Sequence, residues 1–347
     1  MIDMITMKEI GRLAGVSQTA VSFILNGKAE QLSLSSETVR LVQEIALKYN
    51  YKPNLLAKGM KTGKTGMIGI LLRQDGLRQV ANGENFTNIL MRLYAHLTLQ
   101  GKIVVMEGIT RDDVRNGKLP NSVTSGLLDI LVISDSLLLD EPESRTYLQK
   151  ILTYIPHCVG SMCNFGKTEN KIPVIRGNFF RAGELIAETV WKMGKRSFAI
   201  LGTDNQEVNI SEQQHGFCSR LREAGHTADI PIWYAHDCWQ KECGAEAIAS
   251  MLDSGMPLPE VIFCSIDYFV DGTVMELRRR ALHEKQFTIA AIGNSRRAVN
   301  CEYQPDIYVG FDDNQYLQKL LEFIQNFEKD EMITDPVYLL EPLCHTI

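Results

Sequence analysis

The chain has 347 residues, 45% of them hydrophobic and 22% charged, with a formal net charge of −6. These proportions exclude disordered and collagen-like chains, and the length asks for two or three globular units, each with its own core. There is no run of about 18 apolar residues for a membrane span. The N-terminal MIDMITMKEIGRLAG also lacks the basic stretch and apolar core of a secretory signal, so a cytoplasmic protein is expected.

Charge is unevenly distributed. Residues 1–65 carry nine Lys/Arg against five Asp/Glu, a net +4, whereas the rest carry 27 against 37, a net −10. A small basic head on a large acidic body points to a head that alone meets a polyanion.

In chain order, Thr6-Met7-Lys8-Glu9 fits a capping box, and Met7, Ile10, Leu13 and Ala14 then line one face of a first helix that Gly15 stops. Ser17 caps a second helix from Gln18 to about Leu25, with Val21, Ile24 and Leu25 facing one way, ending at Asn26-Gly27. Ser35 caps a third, with Val39, Val42, Ala46 and Tyr49 inward. Two short helices joined around Gly15 and closed by a third make a helix-turn-helix unit. The second helix opposes its apolar face with Gln18, Thr19, Ser22, Phe23 and Asn26, a face without a charge. Its amides and hydroxyls suit base edges in a major groove, and Phe23 suits a thymine methyl; a merely solvated helical hairpin stays open on composition alone.

Residues 54–61, between Pro53-Asn54 and Gly63, have length for about two helical turns, too few for stability without a partner. From Met67 apolar strands alternate with amphipathic helices: one series runs from MIGILL to HCVGSM, and a second from IPVIRG to FTIAAIG. Strand–helix alternation predicts parallel sheets covered on both faces, hence two doubly wound lobes with ligands bound outside the carboxyl ends of the strands.

The run MKEIGRLAGVSQTAVSFILNG, followed by LSSETVRLVQEIALKYNYKPNLLAKGMKTGKTGMIGIL, resembles the headpiece of the lactose/galactose repressor (LacI/GalR) family, and the layout is similar over the whole chain. The resemblance implies an all-α helix-turn-helix headpiece over residues 1–52, a hinge over 53–66, and a two-lobed body resembling periplasmic sugar-binding proteins over 67–347. It places the first lobe at 67–162 and 311–330 and the second at 163–310 and 331–347, with crossings near Ser161–Cys163, Gly293 and Gly310–Asp312. It implies that Gln18, Thr19, Ser22 and Phe23 read bases and that Ser17 and Asn26 lie near phosphates, with Thr6, Tyr51 and Asn54 completing the DNA-facing set. Met60, beside Ala57, stands at the position of the leucine that wedges into the minor groove.

The sequence departs from the family pattern in places. The loop Gly27–Leu34 is about three residues longer than is common, and Phe23 replaces an arginine found in many members. In the body, Trp239 and Asp267 match effector-contacting positions, but Gln213 stands for an expected arginine, Ile266 for an asparagine and Ser295 for an acidic residue. Arg296 and Arg297 leave an anionic ligand open beside a sugar.

The expected partners are a double-stranded DNA operator, a second copy of the chain in a homodimer, and a small-molecule effector, either a sugar or an anionic metabolite. No cofactor, metal or membrane is implied. The eight cysteines form no CxxC pair and are expected as reduced, mostly buried thiols, while Cys158/Cys163 and Cys238/Cys243 leave a metal or redox role open. Gly59–Gly66 has one residue too few for a phosphate-binding P-loop and precedes a strand instead of following one. Asn85-Phe-Thr and Asn209-Ile-Ser match glycosylation sequons, which have no meaning in a cytosolic protein. With no GxSxG, HExxH or GxGxxG, an enzyme is not expected. The competing reading is a cytosolic sugar-binding protein of transport ancestry, which the basic head argues against.

Overall fold

The computed structural model describes residues 5–25, 27–32, 34–51, 59, 63–74, 87–134, 142–161, 172–203, 208–235, 241–293 and 302–346. They form two compact units, Met1–Thr65 and Gly66–Ile347. The first unit holds helices α1 (Met7–Ala14), α2 (Gln18–Leu25) and α3 (Ser36–Lys48), with a 3-10 turn at Ala29–Leu32 inside the lengthened loop.

The second unit opens with β1 (Met67–Arg73), α4 (Thr87–Leu99), β2 (Ile103–Ile109), the short helices α5 (Arg111–Arg115) and α6 (Asn121–Thr124), β3 (Ile130–Ser134), α7 (Pro142–Tyr154), β4 (Cys158–Ser161) and β5 (Val174–Gly177). It continues with α8 (Phe179–Lys192), β6 (Phe198–Thr203), α9 (Val208–Glu223), β7 (Ile232–Ala235), α10 (Lys241–Asp253), β8 (Val261–Cys264), α11 (Tyr268–Arg279), β9 (Thr288–Ile292) and β10 (Ile307–Gly310). Helix α12 (Asp313–Glu328) and strands β11 (Val337–Leu340) and β12 (Leu343–Thr346) finish it.

Among the described residues two six-stranded sheets result, ordered β2-β1-β3-β4-β5-β11 and β7-β6-β8-β9-β10-β12. All neighbours are parallel except β12, which runs antiparallel to β10. The first five strands of each sheet repeat one doubly wound order, whose direction reverses next to β1 and next to β6; ligand crevices lie at such reversals. Strand periodicity accounts for the layering. In β8, Val261 and Phe263 join the apolar cluster on one face, while Ile262 and Cys264 join the cluster on the other.

Sheet membership differs from the sequence expectation. β5, expected in the second lobe, pairs with β4 through Gly160–Val174 and Ser161–Ile175, and β11 pairs with β5. The first sheet therefore holds 174–177 and 337–340, and the chain crosses after Gly177, after Gly310 and between Leu340 and Leu343. The crossings expected near Ser161–Cys163 and Gly293 are corrected, since β4 and β5 share a sheet, as do β9 and β10. A buried strand presents the same apolar pattern to either sheet, so local periodicity cannot tell which it joins.

Helices on the second sheet touch backbone to backbone. A Cβ on Gly183 of α8 would stand 2.0 Å from the carbonyl oxygen of Gln213 in α9, and one on Gly216 of α9 would stand 2.0 Å from that of Phe180. On the other face, Gly244 and Gly272 make the same reciprocal contact between α10 and α11. Gly183→Ala is expected to cost about 3 kcal/mol, read as a lower urea midpoint, whereas Gly225→Ala is a poor control because its φ of 101° is itself strained for alanine.

Helix α11 ends in an ion cluster with a pH signature. Arg279 donates to Glu276 at 2.6 and 2.7 Å and Arg280 at 2.8 Å, holding this carboxyl down to about 2, below its ordinary 4.5. A depressed folded value means stability present above pH 4.5 and lost as pH falls toward 2. Glu276→Gln is therefore expected to destabilise less at pH 2.5 than at pH 7, as measured by chemical denaturation at about those two values.

Candidate nucleic-acid interface and ligand site

The head is assembled from local chemistry. Thr6 Oγ1 accepts from the Glu9 backbone N–H at 3.3 Å while Thr6 N–H donates to Glu9 Oε2 at 2.8 Å, closing the capping box. These bonds hold the Glu9 carboxyl below its usual range. Gly15 ends α1 in the left-handed region at φ 68°. Ser17 Oγ then accepts from Ala20 N–H at 3.1 Å, and Ser35 Oγ accepts from Thr38 N–H at 3.2 Å.

The decisive contact is at Gly11. Its carbonyl accepts from Val16 N–H at 2.9 Å, and a Cβ there would lie 2.6 Å from the Val16 carbonyl oxygen. Only glycine lets α1 touch the turn that launches α2. The sequence reading missed this residue, although a glycine inside a helix, costing about 1 kcal/mol against alanine, signals such a packing reason.

Around this contact Ile10, Val21, Ile24, Val42 and Ala46 form the buried core, packed by Ile5, Met7, Leu34, Val39 and Tyr51. Two residues expected inward are exposed, Leu13 at 42% and Tyr49 at 47%. With helices this short, the core is completed by residues outside them, and Tyr51 takes the place expected for Tyr49. Tyr51 N–H donates to Ala46 carbonyl at 2.8 Å, and burial raises its phenol above the ordinary value.

Opposite this core, α2 presents Gln18 and Thr19 exposed and Ser22 and Phe23 half-buried, with Thr6 and Ser17 also exposed. Thr6, Ser17, Gln18, Thr19, Ser22 and Phe23 thus belong to one small unit, while Tyr51 supports it from the core side. Asn26, Asn54, Ala57 and Met60, like most of the expected hinge, lie outside the described residues.

In the body, polar side chains gather at the carboxyl ends of the second sheet. Gln213, 3% exposed, donates through Nε2 to Ser265 carbonyl at 2.8 Å, and Gln214 Nε2 donates to Ser265 Oγ at 3.1 Å. Ser265 directly follows β8, and its N–H donates to Leu201 carbonyl of β6 at 2.9 Å, so the cluster sits at the reversal of strand order. Asp267, 7% exposed, starts α11 without capping it; its carboxylate lies against Gly293, where a Cβ would stand 2.3 Å from Oδ2. Arg176 of β5 pairs with Glu212 of α9, tying the first sheet to the helix that carries Gln213.

Gln213 Oε1 and Ser134 Oγ at the end of β3 are among the buried side-chain atoms that make no hydrogen bond. Such atoms are costly unless a ligand or water meets them. Gln213 and Asp267 are therefore brought to one strand-end cluster, with Gln214, Ser265 and the Arg176–Glu212 pair added by the structure. Ile266 lies in the apolar core. Trp239, Ser295 and Arg296 lie outside the described residues. No group of three or more metal-ligating side chains occurs among the described residues, and no described helix is long and apolar enough to cross a membrane.

Gly11→Ala in the full chain is expected to cost the head about 2 kcal/mol. Proteolysis within the first 65 residues will then accelerate while the thermal transition of the body stays in place.

Comparison with known proteins agrees with this architecture. Residues 6–54 match the model for bacterial regulatory proteins of the lacI family, and residues 159–295 match that for periplasmic binding proteins and the sugar-binding domain of the LacI family. The catabolite repressor/activator of Escherichia coli strain K12 is 23% identical over 291 residues, 83% of this chain and 82% of that protein. The HTH-type transcriptional repressor PurR of Pasteurella multocida is 23% identical over 306 residues, 88% and 86% of the two chains. A crystal structure of the lac repressor dimer bound to operator and the anti-inducer ONPF shares the fold with a TM-score of 0.76 at 16% identity, covering 98% of this chain and 97% of that one. With a helix-turn-helix head and a body of two doubly wound sheets, both matched by the family's own models, the chain belongs to the lacI family of bacterial regulatory proteins.

Proposed function

We propose that the chain is a dimeric, cytoplasmic transcriptional repressor that binds a near-palindromic operator and whose affinity a small molecule adjusts. The observation that carries this is α2, held by the Gly11–Val16 contact with Gln18 and Thr19 outward, inside a unit of net charge +4. Gln18 suits adenine bidentately and Thr19 suits either edge or a methyl, while Phe23 supplies apolar contact where an arginine would seek guanine. Ser17, committed to capping, remains exposed near where phosphates would lie. A two-fold pair of heads sets the spacing of the half-sites.

For the effector, the buried acceptor Gln213 Oε1 favours a ligand that donates hydrogen bonds. A neutral polyhydroxylated molecule satisfies it, whereas an anion meets the Asp267 carboxylate in the same cluster. If that ligand prefers one lobe arrangement and DNA the other, each changes the other's affinity by the same factor.

In-vitro selection with the full chain is expected to enrich a near-palindrome whose log K falls linearly with log[salt]. Deleting residues 1–65 will abolish that binding; retained affinity or a flat salt response overturns the reading. Phe23→Arg is expected to shift base preference at one position of each half-site more than it shifts affinity, read by repeating the selection.

A further inference from the structure

Very little chain joins the two lobes. Asn178 alone separates β5 from α8, Phe311 and Asp312 separate β10 from α12, and Glu341 and Pro342 separate β11 from β12. Two of these residues are also helix caps: Asn178 Oδ1 accepts from Arg181 N–H at 3.2 Å, and Asp312 Oδ1 accepts from Asn314 N–H at 2.7 Å. The proline of the third crossing has a fixed φ. We propose that Phe311, seated on Gly177, is the pin of this joint: it holds the lobes in the arrangement seen, and displacing it lets them move against one another.

The packing places the ring between the lobes. Gly177 ends β5 in the first sheet, and a Cβ on it would lie 2.4, 2.6 and 2.8 Å from three atoms of the Phe311 ring. Only glycine lets the ring rest on the backbone here. Phe179, the first residue of α8, meets the same ring edge-on, with centroids 5.1 Å apart and planes at 71°. Around this contact the crossings are bonded to one another. Asn178 N–H donates to the Leu340 carbonyl at 2.9 Å, and Asn178 Nδ2 donates to Glu341 Oε1 at 3.2 Å. Tyr316, in the first turn of α12, shares a 2.6 Å hydrogen bond with Ser161 Oγ of β4.

The apolar core is continuous across the same joint. Ile70 and Val132 of the first sheet and Ile200 and Val309 of the second belong to a single cluster, which also holds Phe179, Phe311 and Tyr316. On the opposite faces each lobe keeps its own cluster, one with Leu131 and the other with Ile262. Swinging the lobes apart about the crossings would open the shared cluster to water and drag Phe311 off Gly177. Close-packed interiors pass between discrete arrangements and do not deform smoothly. A ring that must leave its seat before the lobes move is therefore a threshold for that motion. The Arg176–Glu212 pair spans the gap one residue before Gly177, so the polar cluster at the strand ends and the pin act on the same joint.

The test places spin labels, carried on non-natural amino acids so that the native cysteines stay unlabelled, at exposed Asp112 of α5 and Glu246 of α10 in the full chain. Labelled chain is diluted into excess unlabelled chain, and the inter-lobe distance distribution is measured by double electron–electron resonance without DNA or added ligand. A single narrow maximum is expected. Phe311→Leu, which removes the ring, and Gly177→Ala, which unseats it, are each expected to add a second maximum and to speed hydrogen exchange at the Asn178 amide. Val123→Ala, a buried truncation in the separate cluster of the first lobe, is expected to lower stability and leave the distribution unchanged. Two maxima in the unsubstituted chain, a single maximum kept in both joint variants, or equal broadening in Val123→Ala would overturn the proposal. Substituting the two sides of one contact separately guards against a variant that fails to fold. None of these readouts involves DNA or an effector, so failure here leaves the repressor reading standing, and failure of that reading leaves this one.

Discussion

Backbone contact permitted by glycine is the constraint on which this molecule depends. In the head, α2 can present a polar face only because α1 rests directly on the turn before it, and that closeness exists because Gly11 has no side chain. Five buried residues make a very small core, too small to absorb a displacement of its helices. Around the second sheet the same device recurs twice, with Gly183 and Gly216 on one face and Gly244 and Gly272 on the other. Such contacts leave little freedom to slide, so each pair of helices behaves as one rigid piece.

That rigidity gives the polar cluster its meaning. Gln213 is fixed by the α8–α9 contact, since its carbonyl is the very atom Gly183 admits, and Asp267 is fixed by α10–α11 together with Gly293. Buried polar atoms held this firmly either satisfy one another or await something else, and Gln213 does both, donating to Ser265 while its oxygen accepts nothing. The Arg176–Glu212 pair bridges the two sheets at the same helix. A ligand that reorganised this pair would act on the relation between the lobes, which is the physical content of linkage between ligand and DNA.

How much was legible in the sequence depended on the range of the interaction. Thr6 with Glu9, Gly15, Ser17 and Ser35 act over three or four residues, and each performs the capping or stopping role that its neighbours imply. Leu13 and Tyr49 follow a helical stripe yet face solvent, because Ile5, Leu34 and Tyr51 reach the core from outside the helices. Strand and helix order in the body was legible from alternation, but the homes of β5 and β11 were not, because pairing with β4 is a non-local event. Gln213 and Asp267 were singled out by matching positions, whereas their neighbours Gln214, Ser265 and Arg176 came into view only when the fold brought separate segments together.

The central claim is that two copies of α2 occupy successive major grooves on one face of a duplex. Hydroxyl-radical footprinting of the full chain on its selected duplex tests this most directly. The account predicts two protected segments related by a dyad and separated by about one helical turn, roughly 10 base pairs. A single protected segment, or uniform protection without a dyad, would contradict it.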